Sequence, residues 1–143
     1  MKDVRNLIST KKLGVEESDI KIVEEELGAV FPEQYKELFK LVNSPEIGEW
    51  ILYPIKDPKN LKKTWDDMIR QNTEVREDHM SKDLIAIGED GSGDKLCFKV
   101  KNGVMGEEIY IWYHEDHELE VYASHLREFI ISTAEEEDDD FDE

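Results

Sequence analysis

Residues 84–117 read LIAIGEDGSGDKLCFKVKNGVMGEEIYIWYHEDH, and the fold follows from how this run is parsed. Apolar stretches at 84–88, 94–100 and 107–114 are separated by glycine-bearing connections, which predicts three strands joined by two turns. Leu96, Phe98 and Val100 alternate with Lys95, Cys97 and Lys99, so the second strand is expected to have one solvated face. Ile109 to Tyr113 is apolar on both sides, as in a strand inside a sheet. Asn102-Gly103 suits a tight hairpin turn. A further strand is expected at 118–123.

The flanks are helical in pattern. Residues 1–12 predict a short helix with Val4, Leu7 and Ile8 on one side. Ser18-Asp19 offers side-chain oxygens that cap a second helix, in which Ile20, Val23 and Leu27 recur at helical spacing until Gly28 stops it. Phe31-Pro32 opens a third helix, with Tyr35, Leu38, Phe39 and Val42 as its apolar stripe. Trp50 to Tyr53 reads as a strand ended by Pro54. Asp57-Pro58 is expected to cap a locally basic helix that turns Leu61, Trp65, Met68 and Ile69 to the core, and 71–82 reads as loop. Ser124 caps a last helix carrying Leu126, Phe129 and Ile130. Helices, then a strand meander, then a closing helix predict an α+β fold: a central, mainly antiparallel sheet flanked by N-terminal and C-terminal helices.

The 143 residues carry a net charge of −18. Eight of the negative charges sit in the last nine residues, yet residues 1–134 keep a net of −10. Residues 1–134 therefore read as a single domain, and 135–143 as an acidic tail too densely charged to pack. An acidic body argues against direct binding to nucleic acid, which needs a basic footprint, and against an anionic membrane surface. It favours a basic partner. One cysteine, Cys97, leaves no partner for an intramolecular disulfide. The N-terminus has no apolar run of signal-peptide length, and a cytoplasmic protein is the expectation.

No strict chemical motif survives inspection. Gly88, Asp90, Gly91, Gly93 and Asp94 read as a structural turn. The run lacks the Gly-Lys-Ser/Thr ending of a phosphate loop and the helix that would follow it. Asp90, Ser92 and Asp94 are spaced like the first ligands of a calcium loop, but Lys95 and Lys101 stand where glycine and glutamate are needed. His114 and His117 lie three apart, a spacing that sends strand side chains to opposite faces. The sequence thus assigns no metal and no cofactor. Between Glu107 and Glu120 there are six acids and no Lys or Arg. Glu107, Glu108, Glu115, Asp116, Glu118 and Glu120 are the candidate partner-binding residues, with Trp112 or Tyr122 as an aromatic anchor.

The order of these pieces resembles the SUKH superfamily, specifically its Smi/Knr-like group, over about residues 16–132. The opening pattern is Leu27-Gly28, Phe31-Pro32, Tyr35 and Leu38, closing near Asn43. The middle is Leu84 to Gly88 with Asp90-Gly91 and Gly93-Asp94. The late pattern is Ile109-Tyr110, Trp112, His114-Glu115, Ala123-Ser124, Leu126 and Phe129. The resemblance implies an antiparallel sheet with flanking helices and no enzymatic activity. It implies a role like that of bacterial immunity proteins, which neutralise toxin domains, often nucleases, of contact-dependent and related systems. Fungal relatives act as binding hubs in cell-wall signalling.

The sequence reading is therefore an immunity protein for a cognate toxin, a basic nuclease domain being the expected partner. A non-toxin binding hub is the alternative, and a metal-dependent hydrolase using His114 and His117 is a third reading. The tail supplies a first test. Truncation after Thr133 is expected to leave the melting temperature nearly unchanged, since a disordered segment buries little. A large drop would show that the tail packs.

Overall fold

Among the described residues, four α-helices and seven strands follow in the order α1 (Glu17–Leu27), α2 (Glu33–Leu41), β1 (Glu46–Ile47), β2 (Trp50–Leu52), α3 (Met68–Thr73), β3 (Leu84–Glu89), β4 (Lys95–Lys101), β5 (Val104–Met105), β6 (Ile109–Trp112), β7 (Leu119–Ala123) and α4 (Leu126–Phe141). The computed structural model describes residues 1–10 and 12–141, with side chains in α4 as far as residue 136. Of the run 135–143, where disorder is the expectation, residues 142 and 143 lie outside the described residues. The backbone of α4 is helical to Phe141.

The strands form one antiparallel sheet in the order β1-β2-β3-β4-β6-β7, with β5 paired to β4. This is the α+β architecture expected from the strand meander. Trp50 of β2 and Tyr122 of β7 are separated by three intervening strands, yet their rings lie 6.3 Å apart. Only a strongly curled sheet, a half-barrel, brings them together. α4 packs against β1, β7 and the 3-10 helix Lys2–Leu7, and so fills the open side of the curl.

The core centres on Tyr35 of α2. Its ring stacks between Phe31 at 4.1 Å and Phe39 at 4.3 Å, and meets Phe98 of β4 edge-on at 5.9 Å. Its hydroxyl donates to the Met68 sulfur at 3.4 Å. One aromatic thus ties α2 to the sheet and to α3. The helix starts follow local chemistry but shift from expectation at three places. Pro32 is the cap of α2 and not its first residue. His125 Nδ1 and not Ser124 accepts from the Glu128 amide at 3.2 Å in the first turn of α4. The cap of α1 is Glu16, two residues ahead of Ser18, and Asp19 Oδ2 accepts from the Glu16 amide at 3.1 Å inside the first turn. Gly28 ends it at φ 73°.

Three readings are corrected. The stretch 57–69 is not one helix. Asp57 caps a 3-10 turn at Pro58–Asn60, and Asp67 restarts the chain as α3 by accepting from the Arg70 amide at 2.9 Å. Leu61 and Trp65 are consequently exposed, with the Arg70 guanidinium 4.4 Å from the Trp65 ring centre, while Met68 is buried as expected. Residues 71–82 are not simply loop, since α3 runs to Thr73. Finally, Lys95 and Cys97 are buried and only Lys99 and Lys101 are exposed. Segment 74–82 covers this half of the outer sheet face: Met80 is buried there, and Arg76 donates to the Leu84 carbonyl at 2.8 Å.

Two buried asparagines pair with backbone that has no neighbouring strand, one on the edge of β3 and one in the extended segment after β2. β2 pairs β3 only at Gly88 and Glu89. Beyond that, Asn72 Oδ1 accepts from the Ala86 amide at 2.8 Å and its Nδ2 donates to the Ala86 carbonyl at 2.8 Å. Asn43 makes the same two bonds to Ile55, at 3.0 and 2.9 Å. A side-chain amide here stands in for a backbone one. Gly88 sits within β3, not in the turn as expected, because β2 passes so close that a Cβ would lie 2.7 Å from the Ile51 carbonyl oxygen. Asn72→Ala strands a buried amide and carbonyl, and is expected to cost roughly 1–3 kcal/mol in denaturant unfolding. A loss within experimental error would show that water replaces the side chain.

Candidate functional site

Antiparallel pairing brings two connections to the same end of the sheet. Lys95 at the start of β4 pairs with Trp112 at the end of β6, so the β3–β4 turn and the β6–β7 hairpin turn lie side by side. Segment 74–82, laid over the outer face, supplies a third element. The site at this end is built from these three.

In the first connection, Asp90 Oδ1 accepts from the Ser92 amide at 2.9 Å and from the Ser92 hydroxyl at 2.7 Å. Gly91 and Gly93 take φ of 91° and 109°. At Gly93 a Cβ would also stand 3.1 Å from the His114 ring, a tight contact that the ring would have to relax. That close approach lets Asp94 receive His114 twice. Its Oδ1 accepts the His114 amide at 3.1 Å and lies 2.7 Å from Nδ1. The two pieces of the family-like pattern around Gly93-Asp94 and His114-Glu115 are thus one clasp. The hydrogen bond to Asp94 raises the His114 pKa, outweighing burial. Burial pushes Asp94 up, but the bonds from His114 win and hold its carboxyl below the usual range.

The hairpin turn is tightly made. Tyr113 donates its amide to the Glu118 carbonyl at 2.9 Å, His117 donates to the Tyr113 carbonyl at 2.8 Å, and Asp116 Oδ1 accepts the Glu118 amide at 3.0 Å. His117 adopts a left-handed φ of 60°. Its ring lies between His79 at 4.2 Å and Trp112 at 5.5 Å, all three nearly parallel. Tyr113 donates its hydroxyl to Glu120 across the hairpin at 2.8 Å. The exposed carboxylates of Glu115, Asp116, Glu118 and Glu120 therefore stand on a braced support.

The structure brings together four of the six candidate acids. Glu107 and Glu108 precede β6 and lie at its opposite end, where Glu108 lines a groove with Lys99, Lys101 and Tyr110. Trp112 is 1% exposed and belongs to the core beneath His117. Tyr122 is 38% exposed and packs against Trp50 and Phe129, so of the two aromatics it is the one with an open face. Among the described residues no three His, Cys, Asp or Glu side chains are grouped to hold a metal ion. Burial pushes the Cys97 thiol up to about 12, which keeps it un-ionised and unreactive at neutral pH. No helix among the described residues is long and apolar enough to cross a membrane. Sequence reasoning missed His79, a lone histidine in a polar run with no local signal of its role.

A family model described as SUKH_5, SMI1-KNR4 cell-wall, matches residues 1–134. No curated protein matches the chain.

The clasp has a pH signature. His114 titrates higher when folded, so its contribution is complete below the ordinary value of 6.5 and is lost as pH rises through the raised value. Asp94 titrates lower when folded, so its contribution is complete above 3.8 and is lost on acidification. His114→Gln is therefore expected to lower the melting temperature most near about pH 5.5, and progressively less toward about pH 8.5. A difference that stays flat across this interval would remove the clasp as a titrating unit.

Proposed function

Because the chain belongs to the SUKH_5 (SMI1-KNR4 cell-wall) family over residues 1–134, we propose that it is an immunity protein that binds and neutralises a cognate toxin. The family includes immunity proteins and is generally non-catalytic. The partner in this reading is a basic nuclease domain, met in the cytoplasm. The observation that carries the reading is the acidic tip formed by Glu115, Asp116 and Glu118. Nuclease sites are electropositive because they hold phosphates, and an acidic surface is steered to them and occupies them. The bracing of the tip by the Asp94–His114 clasp and the His117 stack supports the same reading. A surface ordered before binding loses less entropy when the complex forms.

Residues 1–134 constitute the binding domain in this proposal, and 135–143 an acidic arm that adds to long-range attraction. A second reading rests on the cell-wall wording of the family description: a binding hub with no toxin partner.

Inspection of the neighbouring genes for a toxin domain, followed by its co-production with this protein, separates the two. Rescue of growth is expected for an immunity protein, and its absence favours the hub. For the purified pair, reversing the charge of Glu115, Asp116 and Glu118 to lysine is expected to slow association by roughly 10- to 100-fold at low salt, with the difference closing as salt is raised. An unchanged rate at low salt would move the binding face elsewhere.

A further inference from the structure

Among the described residues, strand edges are closed by side chains or by a neighbouring segment, as Val30 does along β5, and β7 stands apart. Asn72 occupies the open part of β3, and Arg76 takes the Leu84 carbonyl. At the first edge of the sheet β1 is two residues long, and its Glu46 amide donates to the Thr10 hydroxyl at 2.8 Å. At the last edge β7 runs for five residues with β6 as its sole strand neighbour among the described residues. Among the described residues, no side-chain hydrogen bond reaches its outward backbone groups.

The geometry identifies which backbone groups are free. The Tyr113 amide bonds to the Glu118 carbonyl, so 113 and 118 are a hydrogen-bonded pair. Alternation makes Ile111 and Glu120 the next such pair and turns the amides and carbonyls of Leu119 and Val121 away from β6. Their side chains are open as well, Leu119 being 36% and Val121 53% exposed. Residues 119–123 carry no lysine or proline; what guards this edge is the charge of Glu120 and a register shift between Val121 and Ala123 at its far end.

We propose that β7 is a docking edge on which a basic, extended segment of the partner adds one further strand. This rests on the reading of the chain as a binder of a basic protein, and it specifies how that protein is held. Main-chain bonds to Leu119 and Val121 supply the pairing, and side chains set the choice of sequence. Leu119 and Val121 point to one face of the sheet, and Glu118 and Glu120 to the other. The matching strand alternates apolar and basic residues. A second copy of this chain is a poor occupant, because it would set Glu118 and Glu120 against their own kind in a molecule of net charge −18.

The test uses the full-length, isotope-labelled protein and a peptide of about ten residues alternating lysine and valine. Saturable binding at low salt is expected, with slowed hydrogen exchange at the amides of Leu119 and Val121. Val121→Pro removes an amide that β6 does not use, at an edge where proline is tolerated. It is expected to weaken the peptide at least about tenfold, whereas Val121→Thr, which keeps the amide, retains binding. The proposal is overturned by absence of saturable binding, by unchanged exchange at Leu119 and Val121 in the parent, or by a folded Val121→Pro protein that binds as tightly as the parent. The peptide reports on the edge alone. Failure of the growth rescue would remove the immunity reading and leave the peptide result standing, and the converse also holds.

Discussion

A backbone amide and carbonyl shut away from water must find partners, and along the buried half of β3 the partner is the side chain of Asn72. This bond pair fixes more than one strand. Asn72 also donates to the Met68 carbonyl within α3, so the helix is held against the sheet at a set depth. Met68 then lies under the Tyr35 hydroxyl, and Tyr35 under Phe98. The aromatic stack of α2, the position of α3 and the edge of β3 are three views of one constraint. Losing a buried hydrogen-bond partner costs far more than the bond contributes when present, which gives a single asparagine this reach.

The curl of the sheet sets where function can sit. Side chains on its inner face, Leu96, Phe98 and Ile111 among them, are committed to helices α2 and α4. The outer face is covered over Trp112 and Cys97. What remains open, besides the edge at β7, is the end of the sheet where the turn at 90–94 and the hairpin at 113–118 meet. Loops on a rigid scaffold are the usual carriers of binding residues. Here the scaffold reaches into the loops, through the Asp94–His114 clasp and the packing of His117 against Trp112.

The strands at 84–89, 95–101 and 119–123 were legible because period-2 patterning and turn glycines are local signals. Asn102-Gly103 was legible for the same reason, with both residues at positive φ. The stretch 57–69 was misread because Leu61, Trp65, Met68 and Ile69 mimic a helical stripe. Caps by Asp57 and Asp67, with the Asp57 amide donating back to the Thr64 hydroxyl, divide the stretch instead. The burial of Lys95 and Cys97 had no local signal at all, since their cover comes from residues about 20 positions earlier in the chain. The candidate site was half legible. Clustering of acids pointed to the hairpin, but only strand register separates Glu107 and Glu108 from Glu115, Asp116 and Glu118. Asp94 and His114 were each singled out in the sequence, and only β4–β6 pairing unites them.

The acids of the hairpin and the openness of β7 bear on one another. An unpaired edge with exposed valine and leucine is ordinarily a route to self-association. Here that route is opposed without covering the edge, because two copies approaching edge to edge would bring matching rows of carboxylates together. The same rows attract a basic chain. Charge of one sign beside an open edge therefore discriminates in both directions, discouraging the chain's own copies and favouring a partner of opposite charge. A lysine-guarded edge would have the reverse preference. The basic residues of the chain are not absent but placed apart: Lys12 and Lys63 line a separate groove beside Asn43 and Asp57. The exposed hairpin itself, residues 113–120, carries four acids and no Lys or Arg, and that one-signed row gives the edge its direction of choice.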